Sequence, residues 1–355
     1  MKSIYIHIPF CKHKCLYCDF NSFDNKENLI DPYIEALKKE ISVNDIKDAN
    51  TIYIGGGTPS VIDSKHIVSV LTMLPDAKEI TIEINPGTIT YEKLVDYRNA
   101  GINRISIGLQ TTKDSILKEI GRIHSFKEFE DAYKLVREAG FENVNVDLMF
   151  GLPNQTLDDF KDSIQYLIKI KPEHISAYSL ILHNDIFKNL PTDEEERNMY
   201  HYLVKSLKEA GYKHYEISNF SISGYESKHN IVYWNQNEYY GFGAGASSFL
   251  DNKRYTNISS IEKYIENINS GIDVRNMEEE LSIEDKINEY MILKLRLIEG
   301  VNIEEANRIF NTDILKLYEK SIDKLLKHNL IRIDQNICLT EKGLDLANIV
   351  WEEFV

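Results

Sequence analysis

The chain has 355 residues, 43% hydrophobic and 27% charged, with a formal net charge of −15. That length supports one large α/β unit and a smaller second one, while the acidity and the absence of a basic stripe argue against a nucleic-acid partner. No apolar run approaches the roughly 18 to 20 residues of a membrane span, and the start MKSIYIHIPFCKHKC alternates and meets cysteine too soon for a signal peptide, so a cytoplasmic protein without its own membrane anchor is expected.

In chain order, short β-rich runs near residues 3–8, 50–54, 79–84, 103–107, 143–148 and 174–180 alternate with amphipathic helical patterns. In the first run Ile4, Ile6 and Ile8 should face helices, while Tyr5 and His7 should face the interior; the alternative for those two is polar filling of a barrel centre. A helix near 126–139 opens with Ser125 and Glu128 and stops at Gly140. Another near 157–169 puts Leu157, Phe160, Ile164, Leu167 and Ile168 on one face, with Thr156 and Asp159 capping it. Ala-Gly recurs as a helix stop at 100–101, 139–140 and 210–211. Six βα units predict a parallel sheet covered by helices, either a barrel or an open doubly wound sheet.

From about residue 193 the character changes: an acidic-capped helix over 193–210, a short strand at 213–217 and a Gly/aromatic-rich stretch at 224–250. Beyond about 280 the pattern is helical, with a polar hairpin near 330–340 and a last helix at 341–355. The expected division is a barrel over 1–220, a connecting segment over 221–278 and a C-terminal helical domain over 279–355.

Polar and glycine-rich residues recur at the C-terminal ends of the six runs, the face where parallel β/α folds build sites. They are the cysteine loop, Gly55-Gly56-Gly57-Thr58-Pro59, Glu83, Gln110, Asp147 and the pair Tyr178-Ser179. Of four cysteines, Cys11, Cys15 and Cys18 form C-x3-C-x2-C, and Cys338 stands apart as a structural thiol. Disulfide scaffolds spread their cysteines out. Three thiolates in one tight loop suit three irons of a [4Fe–4S] cube and leave the fourth iron open. The amino and carboxylate groups of S-adenosylmethionine (SAM) fit that open iron. The reduced cluster can then pass an electron to the sulfonium, giving a 5′-deoxyadenosyl radical. The alternative, structural zinc, needs four ligands, usually from two cysteine pairs; there is no second pair, and His13 is constrained inside the loop. The glycine run lets a ligand approach the backbone, here the methionyl end of SAM; a plain strand-to-helix turn is the alternative.

YIHIPFC with the following cysteines and YCDF, then GGGTPS, EINPGT, SIGLQT, DLMFGLPNQT and YEISNF, ending in LTEKGLDLANIVWEEF, together resemble the HemN/HemW group of radical SAM proteins over nearly the whole chain. The resemblance implies a partial (β/α)6 barrel with a small C-terminal helical domain, a winged helix being its candidate form. It implies SAM contacts from Tyr5, from the backbone of Tyr17, and from Gly56, Gly57 and Thr58 at the methionine end. Glu83 is implied at the ribose, with Gln110, Arg122 and Asp147 completing the pocket. Without the resemblance, Arg122 reads as a surface arginine and Gln110 as a loop residue.

Two functions divide that group: oxygen-independent coproporphyrinogen III oxidation in HemN-like members, and heme delivery to acceptor proteins by HemW-like chaperones. HemN-like members extend the motif to C-x3-C-x2-C-x-C, whereas Asp19 and Phe20 follow Cys18 here. They also carry an extension before the cluster, and only ten residues precede Cys11. His229-Asn230-Ile231-Val232-Tyr233-Trp234 matches the H-N-x-x-Y-W segment of HemW-like members, which makes His229 a candidate heme ligand; an aromatic turn packed on the barrel is the alternative. Ser247, His183 and Asn154 depart from the residues usual in the family. The expectation is a heme chaperone, monomeric or dimeric, with a coproporphyrinogen oxidase and a radical SAM methyltransferase as the other readings.

Overall fold

Six parallel strands lie side by side in chain order: β1 (Lys2–Ile8), β2 (Ala49–Gly56), β3 (Glu79–Ile84), β4 (Arg104–Gln110), β5 (Val144–Phe150) and β6 (His174–Ser179). A doubly wound sheet reverses its strand order at a switch point. This order never reverses, so the architecture is the partial barrel. The computed structural model describes residues 2–181 and 186–355; His183 lies outside them.

The helices between strands form where the caps and periodicity place them. Both expected capping boxes are present, Ser125 with Glu128 and Thr156 with Asp159, opening helices Phe126–Glu138 and Leu157–Ile170. Ile4, Ile6 and Ile8 are fully buried in the main core, as the alternation of β1 requires. Burying each contributes about 1.5–3 kcal/mol. β4 and β5 run two to three residues further than their sequence patterns suggest, carrying Gln110 into the sheet at the end of β4 and Met149 and Phe150 at the end of β5.

The sheet continues past the barrel on both sides. β7 (Lys213–Glu216) and β8 (Asn219–Ser221) pair antiparallel, with β8 against β6. The Gly/aromatic-rich stretch is part of the same sheet: β9 (Tyr239–Phe242) runs parallel to β1 and is followed by antiparallel β10 (Ser247–Leu250), β11 (Lys253–Asn257) and β12 (Arg275–Glu280). A second core gathers Ile287, Met291, Leu325, Val350 and Phe354. It combines helices with a three-stranded sheet of β13 (Val301–Asn302), β14 (Ile331–Ile333) and β15 (Asn336–Leu339). Cys338 is buried there and its thiol donates to the Glu299 carbonyl at 3.1 Å. The expected last helix is broken into Glu341–Asp345 and Ala347–Glu352. Among the described residues no helix is long and apolar enough to cross a membrane.

Candidate active site at the strand ends

The C-terminal ends of β1 to β6 surround one cavity of about 500 Å³. Its wall takes Cys11, Cys15, Tyr17 and Cys18 from the loop after β1, and Gly56, Gly57 and Thr58 from the end of β2. Glu83, Gln110, Arg122 and Asp147 complete it. The glycine run is there for steric reasons. A Cβ on Gly57 would stand 2.7 Å from the Phe10 carbonyl oxygen and 3.0 Å from Cys11 Sγ, and one on Gly56 would strike the His7 ring at 2.6 Å. The amides of Gly57 and Thr58 donate to the Ile8 and Phe10 carbonyls at 2.9 and 2.8 Å, which pins this turn to the cysteine loop.

Two half-buried carboxylates, Glu83 and Asp147, face this cavity. Glu83 accepts from Tyr53 Oη at 2.8 Å and from the Gly56 amide at 3.2 Å. Burial pushes its pKa up to about 7, against the lowering effect of the Tyr53 bond, and the charge of Asp147 adds to the rise. Asp147 accepts from Asn145 Nδ2 at 2.7 Å and Ser106 Oγ at 3.3 Å, and burial raises it as well. Gln110 sits at a register shift between β4 and β5 with φ of 69°, a left-handed conformation rare for its type. Such a residue at a cavity wall is held there by its surroundings; Tyr178 Oη donates to its side-chain carbonyl at 3.3 Å.

Each cysteine sulfur also has a side-chain neighbour at 3.7 Å: Thr58 Oγ1 at Cys11, Arg122 Nη1 at Cys15 and Ser22 Oγ at Cys18. Among the described residues no three Cys, His, Asp or Glu side chains converge closely enough to hold a single metal ion.

Residues 5–167 match the radical SAM superfamily and residues 281–346 match the HemN C-terminal domain. The chain is 39% identical to heme chaperone HemW of Lactococcus lactis subsp. lactis (strain IL1403), over 99% of this chain and 97% of that one. It is 37% identical to heme chaperone HemW of Bacillus subtilis (strain 168), over 100% and 99%. The chain belongs to the HemW family of radical SAM proteins. Coproporphyrinogen III oxidase HemN from Escherichia coli superposes with a TM-score of 0.87 at 22% identity, covering 99% of this chain and 89% of that one, which establishes the shared fold.

A radical SAM protein carries a [4Fe–4S] cluster and SAM, and the cavity fits both. Three thiols line the one cavity, the glycine backbone leaves room beside Cys11, and a carboxylate with two donors already in place faces the same space.

Two of the residues singled out from sequence stand apart from the HemW-family cavity. Tyr5 does not line it. Tyr5 lies in an adjoining hollow of about 360 Å³ with His7, Tyr233, Tyr239 and Ser247, and its hydroxyl meets His7 Nδ1 at 3.0 Å. Asp19 and Phe20 line both spaces and so form the wall between them. His229 is also displaced from the expected role. It is 1% exposed and both ring nitrogens are engaged, Nδ1 with Thr51 Oγ1 at 2.7 Å and Nε2 with Tyr233 Oη at 2.8 Å. As folded, His229 presents no nitrogen to an iron. Burial and the charge of Arg104 lower its pKa to about 3, so the ring is neutral. Of the H-N-x-x-Y-W segment, Asn230 is the residue that reaches the cavity. Trp234 serves elsewhere: the Arg296 guanidinium lies 4.3 Å from its ring and 5.2 Å from that of Trp351, tying the segment to the C-terminal unit.

Sequence reasoning missed Asn85 and Ser22, and placed His7 only as an inward-facing residue of the first strand. Asn85 Nδ2 donates to Thr58 Oγ1 at 2.9 Å, and its Oδ1 accepts from Arg122 Nη2 at 3.0 Å. His7 Nε2 meets the Asn21 carbonyl at 2.8 Å while the ring packs on Gly56. The only signal for Asn85 was its place two residues beyond Glu83, at the end of a strand whose neighbours all carry site residues.

Proposed function

We propose that this chain is a cytoplasmic heme chaperone, which binds heme and hands it to acceptor proteins from a barrel that also holds a [4Fe–4S] cluster and SAM. The observation that carries this reading is full-length similarity to proteins named heme chaperone HemW, at 37–39% identity. The sequence agrees with it at Phe20, which occupies the position of the fourth cysteine of HemN-like members. In this reading Cys11, Cys15 and Cys18 hold the cluster. Gly56, Gly57 and Thr58 receive the methionine end of SAM, Glu83 accepts the ribose hydroxyls, and Tyr17, Gln110, Arg122 and Asp147 close the pocket. Residues 1–220 form the barrel unit, 221–278 the connecting unit and 279–355 the C-terminal domain.

The bound cluster and SAM together supply one-electron chemistry at the sulfonium. The chain's own residues orient and seal. Glu83 is pre-positioned by Tyr53 and Gly56, and a cationic nucleoside favours its ionised form. Tyr178 holds Gln110 against the space, and Phe20 separates it from the neighbouring hollow. The competing reading is coproporphyrinogen III oxidation, favoured by the close superposition on HemN. Anaerobic reconstitution followed by two assays on one sample separates them: decarboxylation of coproporphyrinogen III with SAM and reductant, and heme titration by Soret absorbance. Heme binding without turnover is the expected result; turnover without heme binding overturns the proposal.

A further inference from the structure

The polar neighbours of the three cysteine sulfurs are unequal. Thr58 and Ser22 offer neutral hydroxyls, and Ser22 Oγ also bonds the Phe20 carbonyl at 3.3 Å. Arg122 offers a guanidinium, which stays charged at any working pH. Its orientation is fixed: Nη2 donates both to Asn85 Oδ1 at 3.0 Å and to the Gly108 carbonyl at 3.2 Å, leaving Nη1 aimed at Cys15 Sγ. Asn85 in turn holds Thr58, the donor to Cys11. One unbroken chain of side chains therefore runs from Cys11 through Thr58, Asn85 and Arg122 to Cys15.

We propose that Arg122, steered by Asn85, sets the reduction potential of the cluster through a charged hydrogen bond to the Cys15 sulfur. This rests on the cluster being held by Cys11, Cys15 and Cys18, and it gives Arg122 a task that does not depend on SAM. Reduction adds one negative charge to the cube and its sulfurs. An N–H donor carrying a fixed positive charge stabilises the reduced form more than the oxidised one, and so raises the potential. Ion pairs and hydrogen bonds away from bulk water are screened little, so the effect should survive physiological salt. Asn85 is a positioning residue in this scheme: it touches no sulfur, but without it the guanidinium loses one of the two acceptors that hold its plane.

The test uses the full-length protein and the variants Arg122→Gln, Arg122→Lys and Asn85→Ala. Each is reconstituted anaerobically with iron and sulfide, assayed for both, and titrated electrochemically with the cluster's EPR signal as readout, without SAM or heme. The midpoint of Arg122→Gln should be more negative than wild type. Asn85→Ala should shift less in the same direction, and Arg122→Lys should fall between wild type and Arg122→Gln. A midpoint in Arg122→Gln equal to wild type, at equal iron and sulfide content, overturns the proposal. Should that variant lose its cluster, Asn85→Ala decides, and a wild-type midpoint there overturns it as well. An arginine that only holds SAM would weaken SAM binding by calorimetry and leave the SAM-free midpoint unmoved. Failure of wild type to take up iron and sulfide would instead refute the cysteine assignment beneath it.

Discussion

The ring of Tyr53 lies 5.1 Å from that of His229, centroid to centroid and tilted by 31°. The same tyrosine donates its hydroxyl to Glu83 at 2.8 Å. A single side chain on β2 thus touches both the carboxylate proposed for the SAM ribose and the histidine of the H-N-x-x-Y-W segment. Glu83, with its pKa raised to about 7, is protonated on the acid side of neutrality and ionised above it. In the role proposed for it, the ionised form accepts two ribose hydroxyls and attracts the sulfonium charge. SAM affinity should therefore rise with pH through about 7 and level off above it. The Tyr53 hydrogen bond lowers the Glu83 pKa, so Tyr53→Phe should move that midpoint upward and weaken binding at neutral pH. Calorimetric titration of SAM across this range checks both; a flat profile in wild type would remove Glu83 from the site.

His229 is expected to behave as a structural residue. Thr51 Oγ1 donates to Ser3 Oγ at 2.8 Å, so it accepts from His229 Nδ1–H, and Nε2 then accepts the Tyr233 hydroxyl proton. His229→Ala leaves Thr51 and Tyr233 each short of a partner, at about 1–3 kcal/mol per unsatisfied buried group, besides the cavity it opens. Urea denaturation of the protein before reconstitution should show a lower midpoint. Unchanged stability combined with lost heme binding would restore the ligand role for this histidine.

How much of this was legible beforehand depended on how local the cause was. Strands, caps and the cysteine loop were readable because alternation, Ser125/Glu128 and Thr156/Asp159 act within a few residues. The phase of site residues at strand ends was readable for the same reason. The role of Tyr5 was not: it shares β1 with buried isoleucines, and the hollow it lines is completed by Tyr239 of β9, the strand paired with β1, and by Tyr233 of the helix Lys228–Trp234, both more than 200 residues along the chain. His229 read as a ligand because its partner, Thr51, is 178 residues away. Asn85 was invisible because its meaning comes from Thr58 and Arg122, on two other loops.

Asn154, one of the departures from the family pattern, is explained by its backbone. Its φ is 58°, in the left-handed region that glycine and asparagine tolerate. Its amide donates to the Asn189 carbonyl at 2.9 Å, and its side chain donates to Glu119 at 2.8 and 3.0 Å. Asn154→Ala should cost about 1–2 kcal/mol for the left-handed Cβ. Asn154→Gly should cost less, because it loses only exposed side-chain bonds. Equal urea midpoints for the two variants would mean that the backbone conformation is not the constraint.

Gly57 makes a steric demand on the Cys11 sulfur itself. Its backbone is not left-handed, so an alanine there meets no intrinsic strain. The obstacle is space alone, since the new Cβ would press on the Phe10 carbonyl at 2.7 Å and on Cys11 Sγ at 3.0 Å. The Phe10 carbonyl also accepts the Thr58 amide, so it cannot yield without loosening the turn that holds the cysteine loop. Gly57→Ala should therefore displace Cys11 and lower iron and sulfide uptake per chain, while the far-ultraviolet dichroism of the barrel stays near wild type. Full cluster content in this variant would show that the loop has slack that the packing denies, and would weaken the placement of Cys11 as a ligand held rigidly against the glycine turn.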